Sequence, residues 1–306
     1  MKIATVATGG IGGFLAVRLA ESGHQVATIA RGGHLDVIRE SGLVLDGFDG
    51  SHCIRPWMAT SDPEEVGEVD AIIFGVKGDA LEAAARSCLP MIGRETVVVP
   101  FLNGVEAADR LAQILPEESV ANGVAQISTT ITAPGVIKQT GEFNRFIFAE
   151  RNNRPSARID ALRNAINEAG SSAPQTDDIE RDLWTKFVLF SAVSGVTAAG
   201  RCTIGDITGN DAQAELFRAV VSETTALARA RGVSLPATIE EDTWSTATSL
   251  PPAMRASTAI DLENGRPLEI EWISGAVKRL SEEAGLEAPL NKTLYALLSI
   301  YRHGRQ

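Results

Sequence analysis

The chain has 306 residues, 44% of them hydrophobic and 22% charged, with a formal net charge of −11. That length favours two domains with a sizeable core, and the negative balance excludes a nucleic-acid or anionic-membrane partner as the expectation. Three widely spaced cysteines (Cys53, Cys88 and Cys202) and four histidines without ligand spacing suggest neither a disulfide framework nor a metal site, and so a reducing, cytoplasmic setting.

Lys2–Ala7 is short, apolar and β-branched, the pattern of a buried strand. Thr8-Gly9-Gly10-Ile11-Gly12-Gly13 is too rich in glycine for an element interior and reads as a tight connection. Phe14–Ser22 is helical, with Gly23 as its stop, and Gln25–Ala30 is a second strand. Such a βαβ unit, with glycines between strand and helix, is the dinucleotide-binding pattern of a Rossmann-type fold. In register, the three fingerprint positions are Ala7, Gly9 and Gly12, so the first glycine is replaced by alanine. Alanine fits the turn there provided φ stays negative. The second strand ends in Arg31 rather than an acid, which suits the 2′-phosphate of NADP over the ribose hydroxyl of NAD.

Farther along, His34–Ser41 is a short helix, and Leu43–Leu45 with Cys53–Trp57 forms a hairpin around DGFDGS. Ala71–Val76 and Thr96–Phe101 are continuous apolar runs typical of central parallel strands. Ala80–Leu89 and Glu106–Leu115 are helices; Val120–Ile131 and Gly135–Phe148 are extended; Ser156–Ala169 is a helix with Ser156 as its N-cap. Beyond Asp177 the pattern is almost wholly helical. The expected fold class is therefore α/β: an N-terminal Rossmann-type doubly wound sheet over 1–174 and a C-terminal all-helical domain over 175–306. Ligands are expected at the carboxyl ends of the strands, in a cleft between the two. Met1 runs straight into a strand, so no signal peptide is expected, and no apolar run is read as approaching the ~18 residues of a membrane helix.

Lys77 and Asn103 follow the carboxyl ends of the two central strands. Lys77 suits a phosphate or ribose and Asn103 a nicotinamide or carbonyl, against the plainer alternatives of an exposed lysine and a turn asparagine. Lys186 sits inside the apolar LWTKFVLF, where it is either snorkelling from a helix edge or buried for chemistry. Desolvation lowers a lysine pKa toward the working pH, as a general acid requires. Ser257 and Glu269 lie either side of the turn signal DLENGRP, which can bring them to one end of the helical domain.

The segments KIA, GGIGGFLAVRLAESGHQV, FGVK, LNGVE, the lysine of LWTKFV, and STAIDLENGRPLEIEWISG resemble the ketopantoate reductase (2-dehydropantoate 2-reductase) family over nearly the whole chain. The resemblance implies Lys186 as general acid, Glu269 as its helper and Ser257 as the group holding a substrate carboxylate. It implies Asn103 as the residue placing carbonyl and nicotinamide. The cofactor-binding set becomes Gly9, Gly10, Ile11, Gly12, Arg31, Lys77 and Asn103, and the substrate set Lys186, Phe190, Ser194 and Ser257. The chain departs from the family at two positions, Phe190 and Ser194, where asparagines are usual four and eight residues after the lysine. Four residues is one helical turn, so Phe190 is expected beside Lys186. The implied reaction is NADPH-dependent reduction of a 2-oxo acid, by default 2-dehydropantoate to pantoate in pantothenate biosynthesis. Two alternatives stand: a D-2-hydroxy acid dehydrogenase acting on a bulkier apolar acid, and a non-catalytic NADP(H)-binding sensor. A homodimer is left open.

Overall fold

The computed structural model describes residues 1–305 and divides the chain into two compact units. The first comprises Met1–Leu102 and Ala107–Ile179; the second takes the short segment Asn103–Glu106 together with the chain from Glu180 onward.

The first unit is built on strands β1 (Lys2–Val6), β2 (Gln25–Ile29), β3 (Leu43–Gly47), β4 (Gly50–Ile54), β5 (Met58–Thr60), β6 (Val69–Phe74), β7 (Ile92–Pro100), β8 (Ala121–Ala133) and β9 (Val136–Glu150). Five of them form a parallel sheet in the order β5-β2-β1-β6-β7. Apart from Lys2 and Thr5 in β1 and Asp70 in β6, these two central strands carry only apolar side chains, as strands covered on both faces do. Helices α1 (Gly10–Glu21), α2 (Gly32–Ser41), α3 (Leu81–Cys88), α4 (Ala107–Ala112) and α5 (Ala157–Glu168) complete the unit. A separate four-stranded sheet, β4-β3-β9-β8, has no counterpart in the sequence reading. The hairpin expected around DGFDGS is present as β3–β4, although Trp57 lies outside it. The two extended pieces are the long antiparallel pair β8–β9, and β9 also runs parallel to β3. One core joins α1 and α5 to both sheets, through residues such as Phe14, Leu15, Phe101, Ile137, Phe146 and Leu162. Ser156 does stand at the N-cap of α5, but its side chain makes no capping bond.

The second unit is helical: α6 (Ile179–Gly200), α7 (Ile204–Thr208), α8 (Asp211–Ala230), α9 (Ile239–Ser249), α10 (Ser257–Glu263), α11 (Ser274–Glu283) and α12 (Pro289–Ser299). α7 carries a capping box between Thr203 and Asp206, and Asn210 caps α8 through Gln213. The 22-residue α6 corrects one expectation, because it is long and apolar enough to span a membrane by length and composition. Within this fold it is a core helix. Val188, Ala192, Val193 and Val196 pack against α8, and Trp184 and Phe187 pack against Ile273 and Val277. An all-round apolar surface is what a helix buried on several sides requires.

Candidate active site

In the first unit, the order of the strands reverses between β1 and β6, the topological switch point at which α/β sheets bind ligands. The connection after β1 is tighter than the sequence implied. Helix α1 begins at Gly10, four residues early, so three glycines lie inside it. Ala7 has φ +53, which overturns the expectation of a negative value; a left-handed residue is needed to turn the chain so sharply that the Gly9 amide donates to the Ala7 carbonyl at 2.6 Å.

The glycines have different reasons. A Cβ on Gly10 would lie 2.7 Å from Thr129 Oγ1, and one on Gly13 would lie 2.6 Å from Ile137 Cγ1, so both admit the second sheet against α1. Gly12 would put a Cβ 2.9 Å from the Ala7 carbonyl oxygen, so it allows helix and strand to approach. Gly9 differs: its Cβ would meet no protein atom nearer than 3.8 Å, and its φ of −84 suits any residue. Protein packing therefore does not demand glycine at position 9, whereas a ligand backbone pressed against the start of α1 would. The amides of Gly10, Ile11 and Gly12, in the first turn, are those that a helix leaves for an anion.

Arg31 is exposed at the N-cap position of α2 and makes no hydrogen bond or ion pair among the described residues. Three residues on, His34 Nε2–H donates to the Thr8 carbonyl at 2.8 Å, while its Nδ1 accepts from the Gly135 amide at 2.9 Å. It thus ties the glycine turn to the β8–β9 connection, a role the sequence reading missed because Gly135 is distant in the chain. Lys77 is exposed after β6, and Gly75, just before it, leaves room for the Gly12 amide.

The second unit contains a polar chain. Lys186 Nζ donates to Asn103 Oδ1 at 3.3 Å, and Asn103 Nδ2 reaches Glu269 Oε2 at 3.4 Å. Burial pushes the Lys186 pKa down to about 8, with the Glu269 carboxylate opposing the shift. Asn103 is held in this unit by its own segment. Gly104 has φ +93, and a Cβ there would lie 2.6 Å from the Trp272 carbonyl oxygen. Val105 packs beside Ile273 and Val277, and Glu106 pairs with Arg279 at 2.5 Å. Lys186 Nζ lies 5.5 Å from the centroid of the Phe190 ring. Three of the residues named from sequence, Lys186, Asn103 and Glu269, are therefore brought together, with Phe190 beside them.

Ser257 is exposed as the first residue of α10. Ser194 is placed otherwise than a substrate contact would be: it is 0% exposed, and its hydroxyl is bonded to Thr258 Oγ1 at 2.6 Å. The short side chain is enclosed by helix packing and has its partner there.

Family models decide the relationship. The model described as ketopantoate reductase PanE/ApbA matches residues 3–153, and that for its C-terminal part matches 178–302. The chain belongs to the ketopantoate reductase family. A 2-dehydropantoate 2-reductase of Mesorhizobium japonicum is similar at 29% identity, covering 99% of this chain and 97% of its own. Among solved structures, a PanE/ApbA family ketopantoate reductase from Ralstonia eutropha has a TM-score of 0.90 at 29% identity, covering 99% of this chain and 98% of the other. D-mandelate dehydrogenase, solved with NADH and anilino(oxo)acetate, also has a TM-score of 0.90, at 22% identity over 99% and 98% of the two chains, a likeness of fold. As in other ketopantoate reductases, the first unit is the parallel-sheet half and the second the helical half. The protein is thus an oxidoreductase of the kind that acts on CH–OH groups.

Proposed function

We propose that the protein reduces a 2-oxo acid to the 2-hydroxy acid with NADPH, with Lys186 as general acid. The observation that carries this reading is the Lys186–Asn103–Glu269 chain, in which a lysine of pKa about 8 is aligned by an amide and neighboured by a carboxylate. A lysine in that range is mostly protonated at neutral pH yet gives its proton readily. A bound nicotinamide supplies the hydride. Lys186 stabilises the negative charge that develops on the carbonyl oxygen, and then protonates it. Asn103 accepts from the ammonium and keeps it oriented; Glu269 favours the charged form of Lys186 before the reaction. Gly9 to Gly12 hold the pyrophosphate, Lys77 a phosphate or ribose, Arg31 the 2′-phosphate, and Ser257 the substrate carboxylate. We place this activity in a reducing, cytoplasmic setting, in keeping with three cysteines spaced too widely for a disulfide framework.

Phe190 favours a second reading within the same chemistry. Where the family usually offers an asparagine, an aromatic ring lies against the Lys186 ammonium. The substrate is then a 2-oxo acid with an apolar branched or aromatic tail, as for a D-2-hydroxy acid dehydrogenase, rather than 2-dehydropantoate with its hydroxyl. A non-catalytic sensor would have no use for the aligned lysine. The test is a panel of 2-oxo acids (2-dehydropantoate, 2-oxoisovalerate and benzoylformate among them) followed by NADPH oxidation. Turnover of none of them would overturn the proposal; turnover of 2-dehydropantoate far above the rest would remove the second reading.

A further inference from the structure

Ser257 takes its place from helix α6, on which Lys186 also stands. The residue before it, Ala256, donates its amide to Thr197 Oγ1 at 3.4 Å, and the residue after it, Thr258, shares a hydrogen bond with Ser194 at 2.6 Å. Both partners are on α6 and both are fully buried. Upstream, the approach to Ser257 is pinned by backbone bonds, from Ile204 to the Met254 carbonyl and from Gly205 to the Pro252 carbonyl. The Ser257 hydroxyl itself is exposed and has no partner among the described residues.

Lys186, Phe190, Ser194 and Thr197 recur at helical spacing along one side of α6. We infer that Ser194 and Thr258 form a positioning pair, which fixes Ser257 relative to Lys186 and so sets how well the enzyme recognises a substrate carboxylate. Ser194 is enclosed against α10 and acts through it. A hydroxyl pair shielded from water suits that purpose, because it is directional and has no competing solvent partner. The inference rests on the reading of Ser257 as the carboxylate-holding group.

The experiment compares kcat/KM for 2-oxoisovalerate with that for its amide, which lacks the carboxylate charge. Ser194→Ala alone leaves a buried hydroxyl on Thr258 without its partner and can loosen the fold generally. The double variant Ser194→Ala/Thr258→Val removes both polar groups and keeps their shapes, so it should remain folded with wild-type affinity for NADPH. In that double variant the acid-to-amide ratio is expected to fall by about ten-fold, as expected from losing one charge-assisted hydrogen bond, whereas Ser194→Thr should largely retain it. Equal losses for acid and amide would overturn the positioning role. Ser257→Ala separates the two claims. If it too leaves the ratio unchanged, the carboxylate reading of Ser257 has failed; if it lowers the ratio while the double variant does not, only the pair is disproved.

Discussion

Phe190 stands one helical turn after Lys186, with its ring centroid 5.5 Å from the lysine ammonium. The ring is only partly buried, and a substrate held at the lysine under the proposed function would meet it. A substrate hydroxyl facing it loses a partner, at a cost of about 1–3 kcal/mol. Phe190→Asn should shift the kcat/KM ratio of 2-dehydropantoate over 2-oxoisovalerate by about ten-fold or more toward the former. A wild-type preference for 2-dehydropantoate of several hundred-fold would mean that Phe190 does not face the substrate.

With Lys186 as the proposed general acid, its depressed pKa should give the reaction a basic limit. The general acid must carry its proton, so kcat/KM for reduction should fall as the pH rises through about 8, approaching about ten-fold per pH unit beyond it. Lys186→Ala should lower kcat by about 10²–10⁴-fold and abolish that limb of the profile. The same shift opposes folding: the buried ammonium is disfavoured relative to the unfolded chain below about pH 8, and that penalty is relieved as pH rises from about 8 toward 10.5. Lys186→Met should therefore stabilise the protein at neutral pH, by up to about 3 kcal/mol, as read by denaturant unfolding.

Arg31 is expected to set cofactor choice. It is exposed and engages no described residue, so its removal disturbs no internal contact. Arg31→Ala should weaken NADPH binding by about ten- to a hundred-fold, the scale of one charge-assisted contact, and leave NADH nearly unchanged. Titration of both cofactors checks this; equal losses for the two would show that Arg31 does not read the phosphate.

Residues 7, 9 and 13 of the first turn and helix should separate by experiment. Gly9→Ala meets no close protein atom, so the thermal midpoint without cofactor should hold while cofactor affinity falls by about ten-fold or more. Gly13→Ala presses into Ile137 and should cost about 1–3 kcal/mol of stability with or without cofactor. Ala7→Gly should act in the opposite sense, gaining about 1 kcal/mol by removing a Cβ from a residue at φ +53. Calorimetry beside a binding titration distinguishes the three.

The alternation of apolar strands and helices was legible because each element obeys its own period, and the glycines of the first turn were visible as such. Their reasons were not. That Gly10 and Gly13 serve Thr129 and Ile137 depends on strands β8 and β9, about 120 residues farther along the chain. The left-handed Ala7 breaks a local preference that only the surrounding turn overrides. Lys186 and Phe190 were readable together because they share one helix. Ser194 was assigned to the substrate set through the family resemblance, and correspondence of position does not say what lies over a side chain; here it is Thr258.

The segment Asn103–Glu106 belongs with the helical unit although its flanks on both sides belong to the other. A polypeptide beginning at Glu180 would carry Lys186, Ser257 and Glu269, yet lack the amide that joins lysine to carboxylate and the Glu106 partner of Arg279. The helical half is thus no exchangeable cassette. Recombination that swapped it between relatives at the chain boundary would pair one parent's lysine with the other parent's asparagine, and selection would act on the four-residue graft as much as on either half.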